Sequence, residues 1–322
     1  MVEPLPRRVL ITGGAGFIGA NLARALYGLG HSVSLVVRPT TSLWRLAGTE
    51  RELHLLRADL ADPEAVARVV AEAKPEVLFH LAFHSGHPTT PEAFRAMVVD
   101  GLLGTWNLLD AISATGIKRY VHVGSSTEYG PRSRPIAESD CLDPVILRGV
   151  AKASTTLLCR QMARQRGLPC IILRPFSVYG YWESPARFIP TALSAALRGE
   201  PLALTRPGVS RDLVFVEDMI EACMLAIDAD ASSGDVINLG TGRRWSNEAI
   251  VAMIGDLAGR PISSRIGDYP QRPVDSSHGV ANIWKAKALL GWTPRHSLPL
   301  GLKKTYDWYV EHRNLYEAHT DG

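Results

Sequence analysis

The chain predicts an α/β fold built on a doubly wound parallel sheet, and three features carry that prediction. An apolar run, Val9-Leu-Ile11, leads into glycines at 13, 16 and 19 in a G-x-x-G-x-x-G array, and helical periodicity resumes from Ala20 to Leu26. Through the first half, apolar strand-like runs alternate with amphipathic stretches, a rhythm that requires a mostly parallel sheet covered on both faces. After Arg174 the rhythm loosens, and prolines and glycines cluster at 175–190, 201–208 and 261–273.

Each element has a local reason. Residues 9–11 form a short buried strand, and the glycine turn after it lets the backbone come close to phosphates at a helix N-terminus, where N–H groups and the positive dipole end favour an anion. That context makes Gly13, Gly16, Phe17, Ile18 and Gly19 a dinucleotide pyrophosphate site. Apolar runs at 33–37 and 53–56 give the second and third strands, and 63–73 a helix. Residues 77–81 give a fourth strand, 94–114 one long helix, 120–123 a fifth strand, 150–165 a further helix and 170–173 the strand after it. Residues 1–174 thus read as a Rossmann-type NAD(P)-binding domain. Residues 175–322 read mainly as a smaller C-terminal substrate-binding region, with a short stretch near 210–220 returning to the sheet.

Composition narrows the function classes. With 46% hydrophobic and 21% charged residues the chain is ordinary for a soluble globular protein, and its net charge of +3 is too small to argue for nucleic acid or an anionic membrane. Residues 1–8 lack the apolar stretch of a signal peptide, and no apolar run approaches spanning length, so a cytoplasmic enzyme is expected. Four scattered cysteines, without C-x-x-C pairing, read as reduced thiols, and ten dispersed histidines suggest no metal.

The end of the second strand bears on the cofactor. A carboxylate there would bind ribose hydroxyls and favour NAD, but the run is Val36-Val-Arg-Pro39. Arg38 suits a 2′-phosphate, with Ser42 and Arg45 close in sequence, so NADP(H) is expected over NAD(H). Asp59 and Leu60, after the third strand, are placed to reach the adenine, and Leu81 and Ala82 to pass under the cofactor.

Further motifs extend along nearly the whole chain: His80-Leu-Ala82, Gly104-Thr-Trp-Asn-Leu-Leu109, Gly124-Ser-Ser-Thr-Glu-Tyr-Gly130, Leu173-Arg-Pro-Phe-Ser-Val-Tyr-Gly180, Arg211-Asp-Leu-Val-Phe-Val-Glu-Asp218, Asn238-Leu-Gly-Thr-Gly242 and Leu290-Gly-Trp-Thr-Pro294. Together with the glycine array they resemble the extended short-chain dehydrogenase/reductase family, in its nucleotide-sugar epimerase, dehydratase and 4-ketoreductase branch. Val37-Arg-Pro39, Leu43-Trp-Arg-Leu46 and Ser125-Ser-Thr-Glu-Tyr-Gly130 look most like the CDP-4-keto-6-deoxysugar reductases of the abequose and paratose synthase type.

The resemblance implies a nucleotide-diphosphate sugar as substrate. Arg211 and Arg272 match arginines that hold substrate phosphates, Arg187 is a third candidate, and guanidinium suits a diphosphate. It also implies contacts of Pro175 with the cofactor and of Ser177 with the substrate, and a homodimer formed through the helices near 94–114 and 150–165, whose apolar faces equally suit intrachain core. The family's tyrosine four residues before its lysine is missing: the lysine is Lys152, which the resemblance sets on the nicotinamide ribose, but Arg148 stands in the tyrosine's place. An arginine stays charged and only donates, so it can stabilise an alkoxide or hold an anion but cannot shuttle a proton. Three readings follow: another group (Tyr129, Tyr179, Tyr181, Glu128 or His84) supplies the proton, the reaction is altered, or catalysis is lost and binding remains. Ser125, or Ser126 after a one-residue slip, is expected on the reacting oxygen. Glu128 either faces the pocket or bonds neighbouring backbone amides, and His84 and His87 follow the cofactor strand. The expected activity is at carbon 4 of an NDP-hexose, with 4-keto reduction ahead of epimerisation and 4,6-dehydration behind both.

Overall fold

Strand β1 (Arg8–Thr12) buries four of its five residues, the pattern of a strand covered on both faces rather than one. The computed structural model describes residues 6–84, 90–270 and 279–319. In chain order the first half adds α1 (Phe17–Gly28), β2 (Ser32–Val37), β3 (His54–Arg57), α2 (Pro63–Ala73), β4 (Val77–His80), α3 (Pro91–Val98), α4 (Gly104–Ile112), β5 (Arg119–Val123), α5 (Leu147–Arg166) and β6 (Cys170–Pro175). The second half adds β7 (Ser177–Tyr179), α6 (Phe188–Arg198), β8 (Leu202–Leu204), β9 (Ser210–Arg211), β10 (Leu213–Phe215), α7 (Val216–Asp228), β11 (Asp235–Leu239), β12 (Trp245–Ser246), α8 (Asn247–Leu257), β13 (Ser264–Ile266), α9 (Trp284–Leu290), α10 (Leu298–Glu311) and α11 (Arg313–Glu317).

Seven strands form one parallel sheet in the order β11-β6-β5-β4-β1-β2-β3. Alternate side chains enter separate cores. Val9, Ile11 and Leu35 pack with α1 and α7 residues such as Leu22, Met219 and Cys223, whereas Leu10, Val36 and Leu78 pack with α2, α4 and α5 through Val66, Leu108 and Met162. The strand order reverses between β1 and β4, and in such sheets the crevice for a ligand lies beyond the carboxyl ends at that point.

Three expectations need correction. The stretch near 210–220 does not return to the sheet: it forms β9, β10 and the start of α7, and β10 pairs with β7. The seventh strand is β11, whose longer Val236–Leu239 run is fully buried beside β6. The expected helix at 94–114 is interrupted by a π-turn, Val99–Leu103, between α3 and α4. Within it Gly101 packs closely on Phe83, so that a Cβ there would stand 2.8 Å from the ring. Finally, α5 starts at Leu147, three residues before the sequence pattern, which brings Arg148 into its first turn.

Beyond the sheet, the two-stranded pairs β7–β10, β8–β13 and β9–β12 make the smaller region. Its C-terminal helices close over the β2–β3 connection through aromatic contacts: Trp44 stacks on His319 at 4.9 Å and meets Tyr316 at 5.7 Å, while Trp182 meets Trp308 at 4.9 Å. Among the described residues no helix is long and apolar enough to cross a membrane. All four cysteines are free.

The glycine turn is defined by backbone contact. A Cβ on Gly19 would collide with the carbonyl oxygen of Gly13, while one on Gly28, at the end of the same helix, would meet nothing within 4 Å. Gly19→Ala is therefore expected to lower the melting temperature by several degrees, as overpacking costs about 1–3 kcal/mol. Gly28→Ala is expected to leave it unchanged or raise it, since Ala exceeds Gly by about 0.5–1 kcal/mol in a helix. Thermal unfolding followed by circular dichroism compares the two.

Candidate active site

A cavity of about 410 Å³ opens at the carboxyl ends of β1 to β4, lined by Gly13, Gly16, Arg38, Asp59, Leu60, Leu81 and Ala82, and also by Phe83 and Asp100. Phe17, Ile18 and Gly19 form the first turn of α1, where Gly16 offers no side-chain cap, so the first N–H groups are left for a ligand. Gly13, at φ +73°, has the backbone of Ala82 so close that a Cβ would stand 2.6 Å from its nitrogen. A cradle of bare backbone at a helix N-terminus, continuous with a cavity that ends in Arg38 and Asp59, fits a dinucleotide. The Asp59 carboxylate accepts from Ala61 N at 2.9 Å, and the Leu60 carbonyl accepts from Asn107 at 2.9 Å, which fixes the floor.

At the far rim, Arg38 is over half exposed and lies 3.3 Å from Asp100. Ser42 and Arg45, expected to lie near a 2′-phosphate, line the same cavity, where Arg45 is held in place by its Nε donating to the Trp182 carbonyl at 2.8 Å and by its guanidinium lying over Trp44.

The other end is built where β5 stops. Ser125 opens a short 3-10 turn over Ser126–Glu128; its Oγ lies 2.8 Å from Thr127 Oγ1 and accepts from Thr127 N. Of the two readings of Glu128, the structure has the carboxylate bonded to a neighbouring backbone amide. Its Oε1 accepts from Ser125 N at 2.7 Å, and its Oε2 pairs with Arg174 at 2.6 Å, both side chains being almost wholly buried. Ser126 is half-buried within the turn.

Lys152 and Arg148, one turn apart on α5, face a single aromatic ring. Lys152 Nζ lies 4.2 Å from the centroid of Phe83 and donates to the Val123 carbonyl at 2.7 Å. Arg148 lies 5.1 Å from the same centroid and donates to the His84 carbonyl at 2.5 Å. Burial, reinforced by the Arg148 charge, brings the Lys152 ammonium down to about 7. Burial and then the Arg187 charge bring Arg148 down to about 10, which leaves it cationic at neutrality. Lysine is thus the member of the pair that changes protonation near pH 7, and arginine supplies fixed positive charge.

Of the tyrosines named as proton donors, two are hydrogen-bonded elsewhere and the third is buried. Tyr129 donates to Asn238 at 2.8 Å beneath Arg174, Tyr181 donates to Glu217 at 3.1 Å, and Tyr179 is buried against Gly301. His84 stays at the rim, its Nδ1 3.5 Å from Asp100. On the substrate side, Pro175 ends β6, Ser177 donates its N–H to the Asp212 carbonyl, and Arg211 pairs with Trp245 in the β9–β12 ribbon. Asp212, beside Arg211, accepts from Thr241, Gly242 and Ala281 and so gathers three loops. Arg187, at the head of α6, lies 3.7 Å from Glu183. Arg272 and His87 lie outside the described residues. Phe83 and Asp100 escaped the sequence reading, the first inside an ordinary apolar run and the second inside an apparent helix. Among the described residues no group of three His, Cys, Asp or Glu side chains is placed to hold a metal ion.

Comparison with known proteins agrees with this geometry. The model of the NAD dependent epimerase/dehydratase family matches residues 9–240. A probable UDP-glucuronate 4-epimerase from Rhizobium meliloti (strain 1021) is 28% identical, the match covering 97% of this chain and 99% of the relative. A dTDP-glucose 4,6-dehydratase from Shigella flexneri is 26% identical over 98% of this chain and 96% of its own. Among solved structures, MoeE5 in complex with UDP-glucuronic acid and NAD superposes with a TM-score of 0.84 at 31% identity, covering 94% of this chain and 99% of that one. With the glycine cradle, the parallel sheet and the β5–α5 site in place, the chain belongs to the NAD dependent epimerase/dehydratase family.

Proposed function

We propose that the protein is an NAD(P)-dependent oxidoreductase of a nucleotide-activated hexose, acting at carbon 4 through a site in which arginine stands where tyrosine is usual. The observation that carries this reading is the Lys152–Phe83–Arg148 arrangement beside Ser125, at the end of a cavity that starts on the glycine turn. When bound, a nicotinamide dinucleotide supplies or takes up the hydride. Lys152 orients the ribose and, near half-protonation, gives or takes the proton at the sugar oxygen. Arg148 and Ser125 donate to that oxygen as it gains negative charge, which is electrostatic stabilisation without proton transfer. Arg211 and Arg272 hold the diphosphate, with Arg187 a third contact.

Arg38 at the ribose end supports NADP(H), and with it 4-keto reduction ahead of epimerisation. The 4-epimerase and 4,6-dehydratase names of the relatives support the alternatives that recycle their cofactor. The missing tyrosine supports one further reading, a family member that binds the nucleotide sugar but has altered or lost turnover.

The proposal includes a homodimer. Val99, Leu103 and Trp106 form an exposed apolar stripe along the π-turn and α4, and Leu147, Val150 and Leu157 a second along α5. Two such helices from each copy would cover both stripes.

Absorbance and mass spectrometry of the denatured supernatant, then thermal shifts with nucleotide sugars, test the reading directly; the expected result is a shift with one nucleotide sugar. Arg211→Ala is expected to raise its KM about ten- to hundredfold, the worth of a charge-assisted contact, while NAD(P) affinity stays put. Unchanged KM would remove Arg211 from the diphosphate site. Because the folded protein depresses the Lys152 pKa, the unfolded chain alone carries that proton between about pH 7 and the ordinary lysine range. Stability relative to Lys152→Met is therefore expected to rise with pH across that window, by about 1.4 kcal/mol per unit at most, and urea unfolding at several pH values measures it. Val150→Glu with Leu157→Glu is expected to convert a dimer to monomer by light scattering; a monomeric parent would refute the dimer.

A further inference from the structure

Asp100 reaches the dinucleotide cavity from the π-turn and meets Arg38, which follows β2, within it. It lies in the π-turn, where the wider backbone helix redirects a side chain that an unbroken α-helix would place differently. Its Oδ2 stands 3.3 Å from Arg38 and 3.5 Å from Nδ1 of His84. The turn is anchored from below by a buried polar chain. The Gly101 carbonyl accepts from Thr105 Oγ1, Thr105 lies 2.9 Å from His80 Nε2, and His80 Nδ1 lies 2.6 Å from Thr12 Oγ1 in β1. Above, the Phe83 ring closes on Gly101. Asp100 is therefore presented by a held backbone, and both it and Arg38 line the same cavity as the glycine turn.

We infer that Asp100 is a specificity-determining residue for the cofactor, supplying from the π-turn the carboxylate that the end of β2 lacks and opposing the pull of Arg38 on a 2′-phosphate. The inference rests on the reading of this cavity as a nicotinamide dinucleotide site. A ribose 2′-hydroxyl is a donor that a carboxylate accepts, and it leaves the Arg38–Asp100 pair intact. A 2′-phosphate must win Arg38 away from Asp100 and then stand near a like charge in a partly enclosed space. The pair thus makes selectivity a balance between two residues of one cavity, with His84 able to keep Asp100 partnered when Arg38 turns to a phosphate. The arginine alone points to NADP(H); the arginine with its carboxylate reduces that preference.

Isothermal titration of the nucleotide-free full-length protein with NAD⁺ and with NADP⁺ tests this without turnover. Asp100→Asn is expected to move the ratio of the two dissociation constants about tenfold toward NADP⁺, the scale of one charge contact near a protein surface. Asp100→Glu, which keeps the charge, is expected to move it much less, and Arg38→Ala to move it toward NAD⁺. If Asp100→Asn binds both cofactors with the parental ratio, the role of Asp100 is overturned while the dinucleotide site stands. If the parent binds neither cofactor, the reading of the cavity itself is overturned.

Discussion

A carboxylate shut away from water must be satisfied where it stands, and Glu128 is satisfied by the guanidinium of Arg174 and the amide of Ser125. Removing two ions from water costs several kcal/mol each in effective terms, and only close pairing with added hydrogen bonds offsets it. The geometry that meets this condition leaves the loop little choice. Gly124 has no room for a side chain, since a Cβ would stand 2.5 Å from the Glu128 carboxylate. Tyr129 lies under Arg174 at 4.4 Å and ties the loop to Asn238 in β11, whose Nδ2 donates to the Ile136 carbonyl. The β5 loop, the end of β6 and the edge strand are thereby one unit, and Ser125 takes its position from it.

On that fixed support the reactive end carries unusual charge. Two cations share one aromatic ring in a region from which water is largely excluded, and neither has Glu128 to itself, because Arg174 holds it. The negative face of Phe83 offsets part of the mutual repulsion, at a worth of about 0.5–2 kcal/mol per cation. The rest falls on the lysine, whose proton is the more easily lost. A tyrosine in place of Arg148 would present a neutral donor there; the arginine makes the site permanently electropositive, suited to oxygen atoms that gather charge and to anionic substituents.

The sheet was legible in the chain because strands buried on both faces must be apolar throughout, and residues 9–11, 33–37, 77–81, 120–123 and 170–173 are nearly so. The glycine turn was legible for a similar reason, since close backbone approach excludes every side chain. What could not be read depends on segments far apart. The π-turn lies against Phe83, eighteen positions before Gly101. Glu128 turns inward because Arg174, 46 residues on, waits in the core. Arg45 is held at the cavity wall by the Trp182 carbonyl, 137 residues away. The seventh strand was misplaced because Leu213–Phe215 and Val236–Leu239 are both short and largely apolar, and the choice is made by pairing with β6, which no local pattern displays.

The seam between the C-terminal helices and the β2–β3 connection has a consequence for how the molecule is made. Trp44 and Trp182 find their covering partners in Trp308, Tyr316 and His319, and Arg24 lies over Trp182 at 4.3 Å. A ribosome delivers β1, α1 and β2 well before α10 and α11, and domains ordinarily begin to fold as they emerge. Until those helices emerge, the nascent sheet therefore carries Trp44 without its Tyr316 and His319 partners. Those partners lie more than 250 positions further along the chain, so the first half carries an open seam until α10 and α11 have been made.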